Sequence, residues 1–161
     1  LVGRVAAPTA PEVYGPAVTD PVRSCFARNP TGALYAAVNA LATTTLPDAP
    51  RLLAEDLGAE GPGRDAALAQ LPTDGSTVPA DDADAQVQVS GFQFLSYTED
   101  ETVIDVAVLG VSDGQALDAH TAFTLRWERD DWRVVHTPEG APFSAIQLLP
   151  SMAGYVPWSG T

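Results

Sequence analysis

The stretch that most narrows what this chain can fold into is residues 117–135, LDAHTAFTLRWERDDWRVV. Leu117, Ala119, Phe123, Leu125 and Trp127 fall at every second position, with Asp118, His120, Thr124 and Arg126 between them. Successive side chains of a strand point to opposite faces, so this is the period of a half-buried strand. Glu128-Arg129-Asp130-Asp131 then interrupts, and Trp132 and Val134 alternate with Arg133 as the chain returns. The segment predicts a hairpin closed by an acidic turn. Trp127 and Trp132 flank that turn, where two large rings can seal one end of a core.

Upstream of residue 86 the pattern is different. Residues 1–28 carry Pro8, Pro11, Pro16 and Pro21, each removing a backbone donor and favouring extended geometry before it. They predict an extended lead-in whose later half lies on the body through Val13, Tyr14, Val18, Val22 and Phe26, and whose first dozen residues are mobile. Asn29 is an N-cap, Pro30 a first helical residue, and Leu34, Ala37, Val38, Leu41 and Thr45 follow at helical spacing. A helix to about Thr45 is expected, weakened in its last turn by Thr43-Thr44-Thr45. A second, capped by Asp48, buries Leu52, Leu53 and Leu57 and stops at Gly58; a third spans residues 64–71.

From Gln86 the period becomes two. Val87 and Val89 occupy odd positions while Phe92 and Phe94 occupy even ones. All four face one core only if Ser90-Gly91 shifts the phase, which predicts a β-bulge there. Residues 102–111 are apolar on both faces apart from Asp105, so that strand is expected to be central and covered on both sides. The tail, residues 138–161, holds Phe143, Ile146, Leu148, Leu149, Met152, Tyr155, Val156 and Trp158 between three prolines. Two accounts stand: it covers its own domain, or Tyr155, Val156 and Trp158 form a partner-binding patch. The domain division is a lead-in (1–28), a helix-then-sheet domain (29–137) and an apolar tail packed on it (138–161). The fold class expected is α+β: N-terminal helices packed on a curved, cone-like antiparallel sheet of about four strands.

Composition limits the partners. With 21 acidic and 8 basic residues the net charge is −13, and no lysine is present. Phosphate neutralisation needs clustered Lys and Arg, so direct nucleic-acid binding is not expected, nor is docking through a polybasic patch to an anionic membrane. No apolar run approaches the ~18 residues of a membrane span. The chain starts Leu1-Val2-Gly3-Arg4 and its methionine is Met152; a preceding signal peptide or membrane anchor is the favoured expectation, proteolysis the other. Cys25 is alone, so it forms no internal disulfide, and a buried, inert thiol is expected.

Three motifs invite chemical readings. Gly110-Val111-Ser112-Asp113-Gly114 matches the G-x-S-x-G nucleophile elbow, but that motif must open a helix and here a strand pattern follows, so a hairpin turn is expected. Asp81-Asp82-Ala83-Asp84 lacks the calcium-loop glycine and glutamate, their places holding Val87 and Gln93, and reads as a solvated acidic loop. His120 shares a face with Asp118, and Asp105 on the neighbouring strand completes a possible acid/base grouping, with Tyr97 beside it in an enzyme reading. His136 has no evident ligand partner, and two histidines with one cysteine do not make a zinc site. No catalytic residue, cofactor or metal is assigned.

One long helix, two short helices and a curled four-stranded sheet with a bulged first strand, ending in LRWERDDWRVV, resembles the nuclear transport factor 2-like superfold over about residues 30–136. Within it, residues 27–41, ARNPTGALYAAVNAL, and the YVPWSG tail resemble proteins of actinobacterial conjugative plasmids and integrative elements. Those are similar to VirB-type and TcpC-type assembly subunits of type IV secretion, anchored by one N-terminal membrane helix with this domain outside the cytoplasmic membrane. The resemblance implies a non-enzymatic scaffold that is extracytoplasmic, or alternatively secreted, that oligomerises and that binds other transfer-machine proteins. The competing class is a small-molecule-binding protein or an isomerase- or dehydratase-like enzyme, similar to ketosteroid isomerase, using Asp105, His120 and Tyr97.

Overall fold

Helix α1 (Pro30–Thr43) starts where the sequence places it. The Asn29 side chain accepts from the Gly32 N–H at 2.8 Å, and Pro30 occupies the first turn. The helix is buried on almost every side, with Ala33, Ala37, Val38 and Ala42 fully enclosed. Such a helix must be covered by more than one layer. On one side lie strands of the sheet; on another lies the lead-in, since Asn39 donates to the Pro8 carbonyl and accepts from Arg23. The structure is a computed structural model that describes residues 5–80, 86–112 and 114–158. The acidic run 81–84 and residues 1–4 lie outside them.

After α1 come α2 (Ala49–Arg51), a π-helical turn (Leu52–Asp56) and α3 (Pro62–Ala69). Asp48 does not cap α2 as expected. It adopts a left-handed φ of 60° and its side chain makes no cap bond; it accepts instead from the Val78 N–H at 3.3 Å and pairs with Arg51. The loop that follows α3 is thereby tied to the start of α2. Leu53 and Leu57 are buried, and beyond them residues 57–59 run beside β4, Val134 N–H donating to Leu57 and Ala59 N–H to Val134.

Among the described residues six strands form the sheet: β1 (Gln86–Tyr97), β2 (Glu101–Ser112), β3 (Gln115–Glu128), β4 (Asp131–Val134), β5 (Gln147–Leu148) and β6 (Val156–Pro157). The order is β4-β3-β2-β1-β6, with β5 beside β3, and the strand pairs are antiparallel. The α+β expectation of about four strands with helices packed into a cone is therefore corrected. The six-stranded antiparallel sheet is the bulk of the fold, and the α-helices among the described residues that precede it are three and short. The sequence pattern misses β5 and β6 because each is two residues long, set among prolines, and held by the edge it pairs with instead of by its own periodicity.

Strand β1 carries the bulge that its phase shift predicts. Register slips between Val89 and Gly91, and again between Phe94 and Ser96. Val89 is buried, and Val87, Phe92 and Phe94 pack against the same core. A Cβ at Gly91 would lie 2.6 Å from Met152 Cε and 3.0 Å from the Val156 carbonyl. A side chain there would have to displace the flexible end of Met152 and shift the tail backbone by a few tenths of an ångström, so glycine is what lets the tail lie this close. At the β3–β4 turn Arg129 and Asp130 both have positive φ, 52° and 59°, as a two-residue turn matched to strand twist requires. Trp127 and Trp132 meet edge to face at 5.4 Å behind it.

The lead-in is tied to the body at both ends, because Val5, Val22 and Phe26 all enter the core. Its anchor is Asp131, whose carboxylate accepts the N–H groups of Cys25 (2.8 Å), Phe26 (2.9 Å) and Trp132 (2.9 Å). Trp132 Nε1 donates to the Ala27 carbonyl. Cys25, expected to be buried, is exposed. Its φ of 63° accompanies an N–H turned towards Asp131, and the side chain is left outside.

Candidate functional site

Asp105 lies in the middle of β2, on the face opposite Ile104 and Val106. It pairs across the sheet with Gln93 of β1 and Ala122 of β3. His120 stands diagonally across on β3, within reach for long side chains. His120 Nδ1 is 3.0 Å and 3.1 Å from the two Asp105 oxygens, Gln93 Nε2 donates at 3.2 Å, and Tyr155 Oη donates at 2.5 Å. Asp105 is buried, at 4 % exposure. Burial, the hydrogen bond to Asp105 and its negative charge push the Tyr155 hydroxyl up to about 12, while Gln93 opposes the shift.

A carboxylate beside an imidazole can orient the ring as a general base. In this fold, however, three donors meet the same carboxylate, and one of them comes from the tail that lies over it. Tyr97, the third member of the expected grouping, is elsewhere: it packs on Phe94 and Trp132 on the helix side of the sheet. Asp105 and His120 are brought together, and Tyr155 takes the place that the sequence reading assigned to Tyr97. Gly110-Val111-Ser112 ends β2, and Ser112 pairs directly with Gln115 of β3, so strand follows strand where a nucleophile elbow needs a helix.

Tyr155, Val156 and Trp158 do not form one patch. From β5 on the β3 edge the tail crosses the outer face as a strap. It contributes Tyr155 to Asp105, then pairs as β6 with Gly91 and Phe92 at the other edge. There Trp158 turns onto Phe92 and Tyr35 of α1, at ring distances of 6.0 Å and 6.3 Å. Val156 remains exposed. Another apolar strip is uncovered. Leu117 and Leu148 share the helix-side face by register, since Leu148 pairs with Ala119, and they are 46 % and 71 % exposed, with Ile146 close by in the chain at 63 %.

A cavity of about 390 Å³ opens between the π-helical turn, α3 and the segment after β4, lined mainly by apolar side chains including Leu53, Leu71, Val78 and Phe143. His136 forms part of its wall. The residue is buried, and its Nδ1 has no hydrogen-bond partner. Burial pushes the imidazole below its ordinary value; a backbone hydrogen bond at Val134 opposes and nearby Arg64 adds to the shift. Local pattern does not single out His136. The available signal is a polar ring directly after the buried run Trp132 to Val134 and ahead of Pro138.

Among the described residues, no group of three His, Cys, Asp or Glu side chains is placed to hold a metal ion. No helix among them is long and apolar enough to cross a membrane. The family model described as "Domain of unknown function (DUF8175)" matches residues 1–157. No curated protein and no solved structure matches the chain.

Proposed function

The chain belongs to the DUF8175 family, and we propose that it is a non-enzymatic assembly domain of a conjugative DNA-transfer machine of the type IV secretion kind. It works outside the cytoplasmic membrane through protein–protein contacts. The observation that carries the reading is the uncovered strip of Leu117, Ile146 and Leu148, because clustered exposed apolar side chains mark contact surfaces. A net charge of −13 selects the partner: an apolar face on another transfer-machine subunit, rimmed by Lys or Arg. The use of Asp105 to hold the strap supports a structural role for that cluster. The transfer context rests on the likeness of residues 27–41 and the YVPWSG tail to conjugation proteins.

Deleting the gene in a donor strain is expected to abolish plasmid transfer. The double variant Leu117→Glu with Leu148→Glu is expected to lower transfer about tenfold or more, as loss of an apolar anchor does, with an unchanged thermal melt. Transfer that survives deletion would defeat the conjugation role. Transfer lost on deletion but untouched by the double variant would defeat the strip as the contact. A second reading, a small-molecule-binding protein, is favoured by the cavity beside His136.

A further inference from the structure

We infer that two copies of this chain pair by exchanging straps, the segment from Leu149 to Trp158 of each closing over the sheet of the other. The groove that this segment fills recognises it residue by residue. Gly91 leaves room for Met152 and the Val156 carbonyl, since a Cβ there would lie 2.6 Å and 3.0 Å from them. The β1 edge pairs with Val156 and Pro157, and its Ser90 carbonyl accepts the Trp158 N–H at 3.0 Å. Phe92 and Tyr35 receive the Trp158 ring. Asp105, 4 % exposed, accepts the Tyr155 hydroxyl. None of these contacts depends on which copy supplies the strap, so exchange keeps them all and adds a partner.

The hinge favours the exchange. Gly91, Ala107 and His120 stand level across β1, β2 and β3, and β5 and β6 pair at that level on opposite edges. The path β5-β3-β2-β1-β6 spans about 19 Å at one strand spacing per step. The chain from Leu148 to Val156 reaches at most about 29 Å when fully extended. It does not extend fully, because Tyr155 N–H donates to the Met152 carbonyl at 3.1 Å and Gly154, with a φ of 89°, completes a turn. Little length is left to arch over the face it crosses. Short hinges of this kind invite swapping, and the Met152–Tyr155 turn can open out when the strap reaches a second copy.

Repulsion between two chains of net charge −13 opposes close approach. The strap itself escapes it, because residues 140–158 carry no charged side chain and enter the other groove as a neutral segment. The pairing stands apart from the transfer role and survives its failure.

Carbon-13-labelled and unlabelled full chains, mixed in equal amounts, unfolded together in urea and refolded over a range of concentrations, give every strap an equal choice of grooves. Isotope-filtered NMR is expected to show contacts between the Trp158 ring of one form and the Tyr35 ring of the other. They should grow with concentration, and with added salt as repulsion between the bodies is screened. In Trp158→Ala the pair, followed by sedimentation, should weaken about tenfold or more, as loss of an aromatic anchor does. Trp158–Tyr35 contacts confined to one form at every concentration and salt level would overturn the inference without reliance on any variant. A pair of unchanged strength in a folded Trp158→Ala protein would place the contact elsewhere and overturn it too.

Discussion

The lead-in and the C-terminal strap are both proline-broken, largely apolar segments with little regular structure, yet they are attached by different physics. The lead-in sinks Val5, Val22 and Phe26 into the core and hangs its backbone on a buried carboxylate, Asp131. The strap stays on the surface, held by two-residue strands at opposite edges and by Tyr155 on Asp105. Apolar content alone does not decide whether a segment is part of the core. A polar anchor that satisfies backbone donors inside the fold does so more firmly than one that reaches a single side chain.

That contrast can be broken in graded steps. Phe26→Ala should cost most, about 3–5 kcal/mol in urea unfolding, the usual loss for emptying a buried aromatic site. Asp131→Ala leaves three N–H donors without their acceptor, and a loss of about 3 kcal/mol is expected, read in the same transition and without selective loosening of the strap. Tyr155→Phe should cost about 1 kcal/mol, the net value of an ordinary hydrogen bond. Its main sign should be faster hydrogen exchange at the Trp158 amide, which donates to the Ser90 carbonyl. If Tyr155→Phe proved as damaging as Asp131→Ala, the two anchors would not differ in kind.

Alkali sharpens the same distinction. The folded chain holds Tyr155 protonated to about 12, above the ordinary tyrosine value of 10.0. A raised pKa means that the fold favours the neutral phenol, so this contribution is complete below pH 10 and is lost as pH rises from 10 to 12. Absorbance at 295 nm should show one tyrosine titrating late, and Tyr155→Phe should remove that step. The smallest effect is expected at Arg129, whose exposed pair with Glu60 is worth roughly 0–1 kcal/mol. Arg129→Gly also relieves a positive φ, so stability should be unchanged or slightly higher.

What could be read in the sequence was what neighbours in the chain decide. Asn29 with Pro30 marks a helix start, the odd-to-even change from Val89 to Phe92 marks a bulge, and Glu128 to Asp131 marks a turn, because each rests on chemistry within a few residues. The strap and the lead-in depend on Tyr155 meeting Asp105 and on Cys25 and Phe26 meeting Asp131. Residues so far apart leave no periodic trace. The four-strand expectation failed for the same reason, since β5 and β6 exist only where the β3 and β1 edges meet them. Tyr97 was misplaced because the second register slip, between Phe94 and Ser96, alters which face the end of β1 presents. His136 could be noted only as a histidine without an evident partner, because a cavity wall assembled from separate segments has no sequence signature.

Gly91 is a notch cut in the sheet for the end of the chain, with Met152 and the Val156 carbonyl seated where a side chain would stand. A methyl group placed there would push aside the flexible end of Met152 and press on the Val156 carbonyl 3.0 Å away, lifting the tail slightly while leaving every residue of the tail unaltered. How closely the outermost segment of this molecule lies on the sheet is thus written in part into one of its earliest strand positions.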